Sequence, residues 1–366
     1  MKMPYLLILL VVGLLPLVDL LTPGIPLTHD GPDHVARIAN FYRSLSEGNI
    51  VPRWAENLNW GYGHPIIMFL YPLPSYTASL FHFFGFSLTD SVKLVFAASY
   101  LAGIAAFYLW ASRQWNKTAG FVGALLYGFA PYRFVDLYVR GALGEHVAFV
   151  FPPLVCWGLW SLAKREQYRL SVSAVSLGTA GLLLSHNALS LMFLPLVILY
   201  GLYLLIFETK NRSFFILHSS FSILPGFLLS AFFWLPAYWE GKYTLRDIVT
   251  GGDLTDRFVP WRQFFGSLWN YGGGGEFTKQ IGAAHWAAVI GSVVVLLKAK
   301  ERKIRIFISI ALVLFLLSLF IMTGSSQPVW HLVTLMQKFQ FPWRFLSVSV
   351  FISSILGAIL VMHIPK

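Results

Sequence analysis

The sequence predicts an all-α polytopic membrane protein, and three observations carry that prediction. Of its 366 residues, 57% are hydrophobic and only 12% charged, with a mean hydropathy of +0.65, whereas soluble globular chains carry about a quarter charged residues. Apolar runs of roughly 20 residues, enough to cross a bilayer, recur along the chain. Between them lie short turns rich in Lys and Arg, as the positive-inside rule requires of cytoplasmic loops. Such a bundle reads as one membrane domain, residues 1–366. The formal charge of +11 fits orientation of the spans and contact with anionic membrane lipid rather than nucleic acid. The single cysteine, Cys156, lies in an apolar run and can form no internal disulfide, so the redox compartment stays open.

The first span runs Pro4–Leu21. Lys2 before an apolar core looks like a signal peptide, but no small-x-small cleavage site follows, so the span is retained. Residues 22–89 form a long first outer loop. Within it Val35, Ile38, Tyr42 and Leu45 recur at helical spacing with Arg37 and Arg43 interleaved, while Pro32 suits a first turn and Gly48 a stop. That pattern is an amphipathic helix lying in the interface. The apolar run 65–86 is broken by Pro65, Pro72 and Pro74, leaving a clean helix over Ser75–Phe84 that is too short to cross.

The remaining spans are predicted over Ser91–Trp110, Thr118–Ala130, Val147–Ala163, Leu170–Leu184, Leu189–Phe207 and Phe214–Trp239, the central spans of 90–239. After a large outer loop, 240–282, come Ala283–Leu297, Ile306–Met322 and Phe345–Met362 in the final segment, 283–366. The total is about ten transmembrane helices, or 11 if 65–86 crosses. With ten, both termini are cytoplasmic and every short basic turn faces inward; an eleventh crossing would move all four of those turns outside. Of 16 Asp and Glu, only Glu166, Glu208 and Glu301 lie in the basic turns. The acidic residues and the long loops collect on the other side, so the working face is extracytoplasmic. Sequons at Asn116 and Asn211 fall in cytoplasmic turns and are discounted.

The densest chemistry is His29-Asp30-Gly31-Pro32-Asp33-His34 at the membrane boundary. On a helix start Asp30 and His34, or His29 and Asp33, share a face. The two carboxylates suit a general base for a hydroxyl, or oxygen ligands for a divalent metal such as Mg or Mn; the plainer reading is a helix N-cap. The second outer loop carries Asp136, Arg140, Glu145 and His146, which read either as a second acidic group for the site or as local ion pairs. His186 and Asn187 form a tight outer turn, and Arg344 stands at the outer mouth of the last span, where it could hold phosphate bidentately or snorkel beside Trp343. In the large outer loop, Gly272–Gly275 follows no strand and precedes no Lys-Ser/Thr pair, which excludes a phosphate-binding loop and leaves a flexible one.

These residues resemble the GT-C superfamily of membrane glycosyltransferases, and within it the bacterial pyruvoyl-tetrahydropterin-synthase-related membrane proteins. The resemblance rests on His29-Asp30, His34, Pro52-Arg53-Trp54, Gly61-Tyr62-Gly63-His64-Pro65, Tyr71-Pro72-Leu73-Pro74, Gly144-Glu145, Ser185-His186-Asn187 and Phe341-Pro342-Trp343-Arg344. It implies transfer of a sugar from a polyprenyl-phosphate donor to a lipid, glycan or protein acceptor at the outer face of a bacterial or archaeal plasma membrane, usually with inversion. A first-loop carboxylate, here Asp30 or Asp33, would be base or metal ligand. Glu145 or Asp136 would assist, and Arg344 would hold the lipid phosphate. His29, His34, Arg53, His64, Arg140, His146, His186 and Asn187 are the further candidates for substrate binding. Trp54, Trp60 and Tyr62 suit interfacial anchors or sugar stacking. The chain stops just after its last span, whereas relatives often continue, which fits a compact member or a fragment. Two rival classes are a flippase or transporter, which needs mid-span ionisable groups and often inverted repeats that the sequence lacks, and a non-catalytic envelope assembly protein.

Overall fold

A computed structural model describes residues 5–244, 255–270 and 276–363. The described residues are helical, with no strand and a single isolated bridge between Ala55 and His64. Six helices are long and apolar enough to cross a membrane: Leu88–Gln114, Leu143–Lys164, Asn187–Phe207, Arg212–Tyr243, Arg302–Met322 and Pro342–His363. Tyr5–Leu21 and Ala283–Lys298 are shorter apolar helices. Each coincides with a predicted span.

Two predicted spans are helices that do not meet that standard, Lys117–Gly128 and Tyr168–Ser185. The first has 12 residues, a rise of about 18 Å against a hydrocarbon core of about 30 Å. Pro131 stops it and opens a buried non-spanning stretch, Pro131–Val135 followed by a π-helical turn at Asp136–Arg140. The proline-rich run also breaks as expected, into Ile66–Phe69 and Leu73–Phe83. The connection before the last span, expected as a plain loop, contains short helices at Gln327–Leu332 and Thr334–Gln337. The glycine run expected as a flexible loop, with Tyr271, lies outside the described residues.

The last helix, Leu346–His363, is the axis of the bundle: every residue from Leu346 to Ile359 is buried. A helix apolar all round belongs in an interior, and its serines bond back to its own turns, as Ser353 Oγ does to the Ser349 carbonyl at 2.7 Å. Small residues let Lys117–Gly128 approach it closely, for a Cβ on Gly123 would stand 3.0 Å from Ala358 Cβ.

The first-loop helix, Gly31–Ser46, is amphipathic as predicted and buries Ile38 and Phe41. Phe41 meets the Tyr76 ring edge-on at 4.8 Å. This contact lays the helix against Leu73–Phe83 and sets its N-terminus over the ends of the spans.

Candidate active site

The first loop reaches the bundle through its backbone. His29 N–H donates to the Val139 carbonyl (3.0 Å) and Asp30 N–H to the Arg140 carbonyl (2.9 Å). Gly141 makes the approach possible: its φ is +62°, and a Cβ there would stand 2.3 Å from Thr28 Oγ1. Thr28 Oγ1 accepts from Gly31 N–H at 3.1 Å. The Asp30 side chain therefore does not cap the helix it precedes, and among the described residues its carboxyl has no hydrogen bond or ion pair. Burial raises its pKa, opposed by the nearby guanidinium groups of Arg140 and Arg37. Asp33, one turn further on, is exposed and pairs with Arg37 at 3.4 Å.

Beneath this loop lies a buried ionic network. Glu145 is 1% exposed and receives three donors: Arg140 Nη2 (2.7 Å) and Arg344 Nε (2.8 Å) on Oε1, and the Tyr132 hydroxyl (2.7 Å) on Oε2. Asp136 Oδ1 takes Arg140 Nη1 at 2.8 Å, while its Oδ2 is buried without a partner. Burial and the adjacent Glu145 push the Asp136 carboxyl well above the usual range. Trp343 lies under the Arg140 guanidinium, 4.3 Å from carbon to ring centroid.

Arg344 also donates through Nη1 to the Phe339 carbonyl (2.7 Å) and to Gln340 Oε1 (3.2 Å), while among the described residues its Nη2 carries no hydrogen bond. Gln340 holds a φ of +64°, a conformation that costs a non-glycine residue of order 1 kcal/mol or more. Its carbonyl accepts from Arg257 at 2.9 Å, so two arginines fix the strained residue in place.

Tyr71 closes the group. Its ring lies tilted against His186 at 4.9 Å, and burial with the field of Glu145 pushes its phenol up to about 12, with Arg344, Asp30 and Arg37 also near enough to act on it. His186 accepts from Leu189 N–H through Nδ1 (3.2 Å), which puts its proton on Nε2, 3.7 Å from Glu145 Oε1. Burial lowers its pKa to about 3, so the contact is with a neutral imidazole.

Of the predicted site residues, Asp136, Arg140, Glu145, His186 and Arg344 converge directly, and Asp30 stands above them. His34 is buried under the first loop, its pKa lowered to about 3 by burial. His29 is exposed, 6.2 Å from the Phe277 ring. Asp33, Arg37, Asn59 and His64, with Ala36, Leu58 and Ile66, line an open vestibule of about 230 Å3 on the first-loop helix. Three predicted residues lie elsewhere. Arg53 is exposed on a separate small cleft with Tyr76 and Phe233, and Asn187 reaches the Phe69 carbonyl at 3.4 Å. His146 turns away from Glu145, packed on Phe96 (5.2 Å) and Tyr100 (5.9 Å) with neither ring nitrogen bonded. Residues not singled out as site candidates in the sequence, Tyr132, Tyr71, Arg37 and Arg257, complete the cluster. For Arg37 the signal was a charge on the inner edge of an amphipathic helix.

A magnesium site can be built from one or two carboxylates completed by substrate phosphate, and Asp30 with Asp33 offers that pair. Among the described residues no group of three His, Cys, Asp or Glu forms a fuller ligand set.

Residues 68–366 match a family described as the 6-pyruvoyl-tetrahydropterin synthase related domain, a membrane protein. An uncharacterized protein of Lactococcus lactis subsp. cremoris (strain MG1363) is 28% identical over 219 residues, 57% of this chain and 35% of that protein. The chain thus spans about a third of that relative's length. Among solved structures, the oligosaccharyltransferase of Archaeoglobus fulgidus, tethered to an acceptor peptide, aligns over 97% of this chain and 49% of its own, at 16% identity and a TM-score of 0.50. ArnT from Cupriavidus metallidurans, bound to undecaprenyl phosphate, aligns over 99% and 78% at 12% identity and a TM-score of 0.42. Likeness at such identity is one of fold, and the fold is GT-C-like.

Proposed function

The chain belongs to the 6-pyruvoyl-tetrahydropterin synthase related family of membrane proteins, and from that premise we propose that it is a glycosyltransferase using a polyprenyl-phosphate-linked sugar. The site faces the extracytoplasmic side, with both termini cytoplasmic, because a topology of ten traverses, in which the short Lys117–Gly128 crosses packed against the buried last helix, puts all four basic turns inside. One observation carries the reading. A half-buried carboxyl without a partner among the described residues, Asp30, lies within the field of the buried Arg140 guanidinium, and Arg140 shares Glu145 with Arg344, whose Nη2 carries no hydrogen bond among the described residues.

In the proposed reaction the acceptor hydroxyl enters through the vestibule beside Asp33, Arg37 and His64. Asp30 takes its proton as the oxygen attacks the anomeric carbon. The bond from that carbon to the phosphate oxygen breaks on the opposite face, inverting the centre, and the polyprenyl phosphate leaves with the electron pair. Charge develops on that phosphate, and fixed guanidinium groups in a water-poor site stabilise it. Arg140 and Arg344 both donate to Glu145, and Arg140 also to Asp136, so the two guanidinium groups are held in fixed directions for the anion. A divalent cation held by Asp30 and Asp33 would add charge compensation at the same phosphate. Glu145, with both oxygens engaged, positions the arginines and does not serve as the base.

The test is release of polyprenyl phosphate from synthetic polyprenyl-phosphate hexoses and pentoses by the purified protein in nanodiscs, with membrane extract as acceptor source. Release by the wild type and its absence in Asp30→Asn supports the reading. Release at the wild-type rate by both Asp30→Asn and Asp33→Asn overturns it.

A further inference from the structure

Residues 54–64 of the first loop close into a tight turn. Ala55 and His64 exchange both backbone hydrogen bonds (2.8 and 2.9 Å), and Gly63 N–H reaches the Leu58 carbonyl at 3.0 Å. Within it the backbone is left-handed at Asn59 (φ +56°), Trp60 (+55°), Gly61 (+85°) and Gly63 (+80°). Glycine accepts that conformation freely, but a bulky residue such as Trp60 is strained there, and such strain collects at functional positions. Trp54 backs the turn, since a Cβ on Gly63 would stand 2.3 Å from its indole nitrogen. The fixed turn leaves Trp60 and Tyr62 bare, 93% and 82% exposed.

The turn is bolted to the polar edge of Gly31–Ser46. Asn57 N–H donates to Asn40 Oδ1 (2.9 Å), and Arg43 reaches both Asn57 Oδ1 (3.3 Å) and Glu56 (3.5 Å). Arg43 and Glu56 are more than half exposed. A turn carrying such an ion pair stands on the water side of the interface, where paired bare rings mark a binding surface rather than a lipid anchor.

Asn59 and His64, at either end of the tip, line the vestibule with Asp33 and Arg37. Its polar equipment is mixed. Asp33 accepts, Arg37 donates and Asn59 does both. His64 Nδ1 accepts from Ile66 N–H (3.0 Å), so Nε2 keeps the proton and donates. A phosphate calls for donors alone and an acyl chain for neither kind. A sugar ring calls for both, through its hydroxyls, and its C–H face packs on the electron-rich face of an aromatic ring. Asp33 and Arg37 are also near enough to act on the Asp30 carboxyl, the proposed base.

We propose that the acceptor is a glycan, its terminal sugar held by Asp33, Arg37, Asn59 and His64 beside Asp30 and its next sugars packed on Trp60 and Tyr62. The role as acceptor rests on the transferase reading; the glycan-binding surface stands on its own geometry.

Two measurements test it. In the release assay, the Trp60→Ala, Tyr62→Ala pair should raise the membrane extract needed for half-maximal rate by roughly ten- to a hundredfold, with donor KM unchanged. The Trp60→Phe, Tyr62→Phe pair should restore most of the loss, and the Trp60→Leu, Tyr62→Leu pair, apolar but without a ring face, should not. Periodate oxidation of the extract should destroy its acceptor activity, and protease digestion should spare it. Wild-type half-saturation in the Leu pair makes the rings a hydrophobic anchor, and acceptor activity lost to protease but not to periodate makes the acceptor a protein; either overturns the proposal. Saturation-transfer difference NMR with maltohexaose, cellohexaose and chitohexaose tests the surface whether or not transfer occurs. At least one should bind the wild type in nanodiscs and not the Ala pair, even if no polyprenyl phosphate is released and the transferase reading falls. Binding of none, or equal binding by the Ala pair, overturns the proposal.

Discussion

Arg344 Nε donates to Glu145 Oε1 at 2.8 Å across 199 residues of sequence, joining the mouth of the last helix to the start of Leu143–Lys164. Since Glu145 also takes Arg140 and Tyr132, it sets the direction of both guanidinium groups. Glu145→Gln removes the carboxylate that Arg140 and the part-buried Arg344 share, leaving Arg140 only Asp136, a loss of about 3–5 kcal/mol by analogy with broken buried pairs, read as a lowered thermal midpoint in detergent. Arg344→Lys keeps a cation but loses the planar fork. It should reduce transfer by about 10²–10³-fold, the usual cost of one charge-stabilising donor, with the larger part in kcat. A Glu145→Gln protein with the wild-type midpoint would show that the network does not hold the site together.

Asp30→Asn should lower transfer by about 10²–10⁴-fold, the contribution of a positioned base. The raised pKa of Asp30 fixes two further signs. The base acts ionised, so the wild-type rate should climb with pH through a limb above the ordinary aspartate value, and that limb should vanish in the variant. The folded state also holds the Asp30 proton more tightly than the unfolded chain. Ionisation therefore costs stability as pH rises, and Asp30→Asn should melt no lower than wild type at neutral pH. A variant that loses activity and melts earlier would make Asp30 a structural group.

Two buried histidines make the fold acid-sensitive. His34 and His186 are each held near a pKa of about 3 by burial, against about 6.5 in the unfolded chain. Between those values the unfolded chain binds more protons, so stability falls as pH falls from about 6.5 toward 3, by about 1.4 kcal/mol per pH unit for each histidine. His186→Asn, which can still cap Leu189, should flatten the thermal midpoint against pH across that window. An unchanged slope would place the acid sensitivity elsewhere.

Much of this was legible in the sequence because hydropathy and proline placement act locally. The amphipathic helix beginning near Pro32, the break at Pro72 and Pro74, and most span boundaries follow from spacing alone. The convergence of Glu145 with Arg344 and His186 was not, since it depends on how helices far apart in sequence pack. Adjacent residues could also mislead. Glu145 and His146 look like one pair in the sequence, but a helical step of about 100° turns one into the ionic network and the other onto Phe96 and Tyr100. The Asp30 cap reading failed for a local reason, because Thr28 reaches Gly31 N–H first.

Gly141→Ala tests whether the first loop must be docked for the site to work, without touching any group that meets substrate. At φ +62° a non-glycine residue is strained, and the new Cβ would stand 2.3 Å from Thr28 Oγ1 and 3.2 Å from Gly31 N. The Thr28 cap on Gly31 and the Asp30–Arg140 backbone bond should both yield, moving the Asp30 carboxyl away from the buried arginines. A displacement of about 1 Å can cost on the order of 10²-fold in rate. Hydrogen exchange should quicken at residues 28–34 while the spans stay protected, and transfer should fall with donor binding retained. Unchanged exchange together with full activity would mean that the loop docks by other contacts.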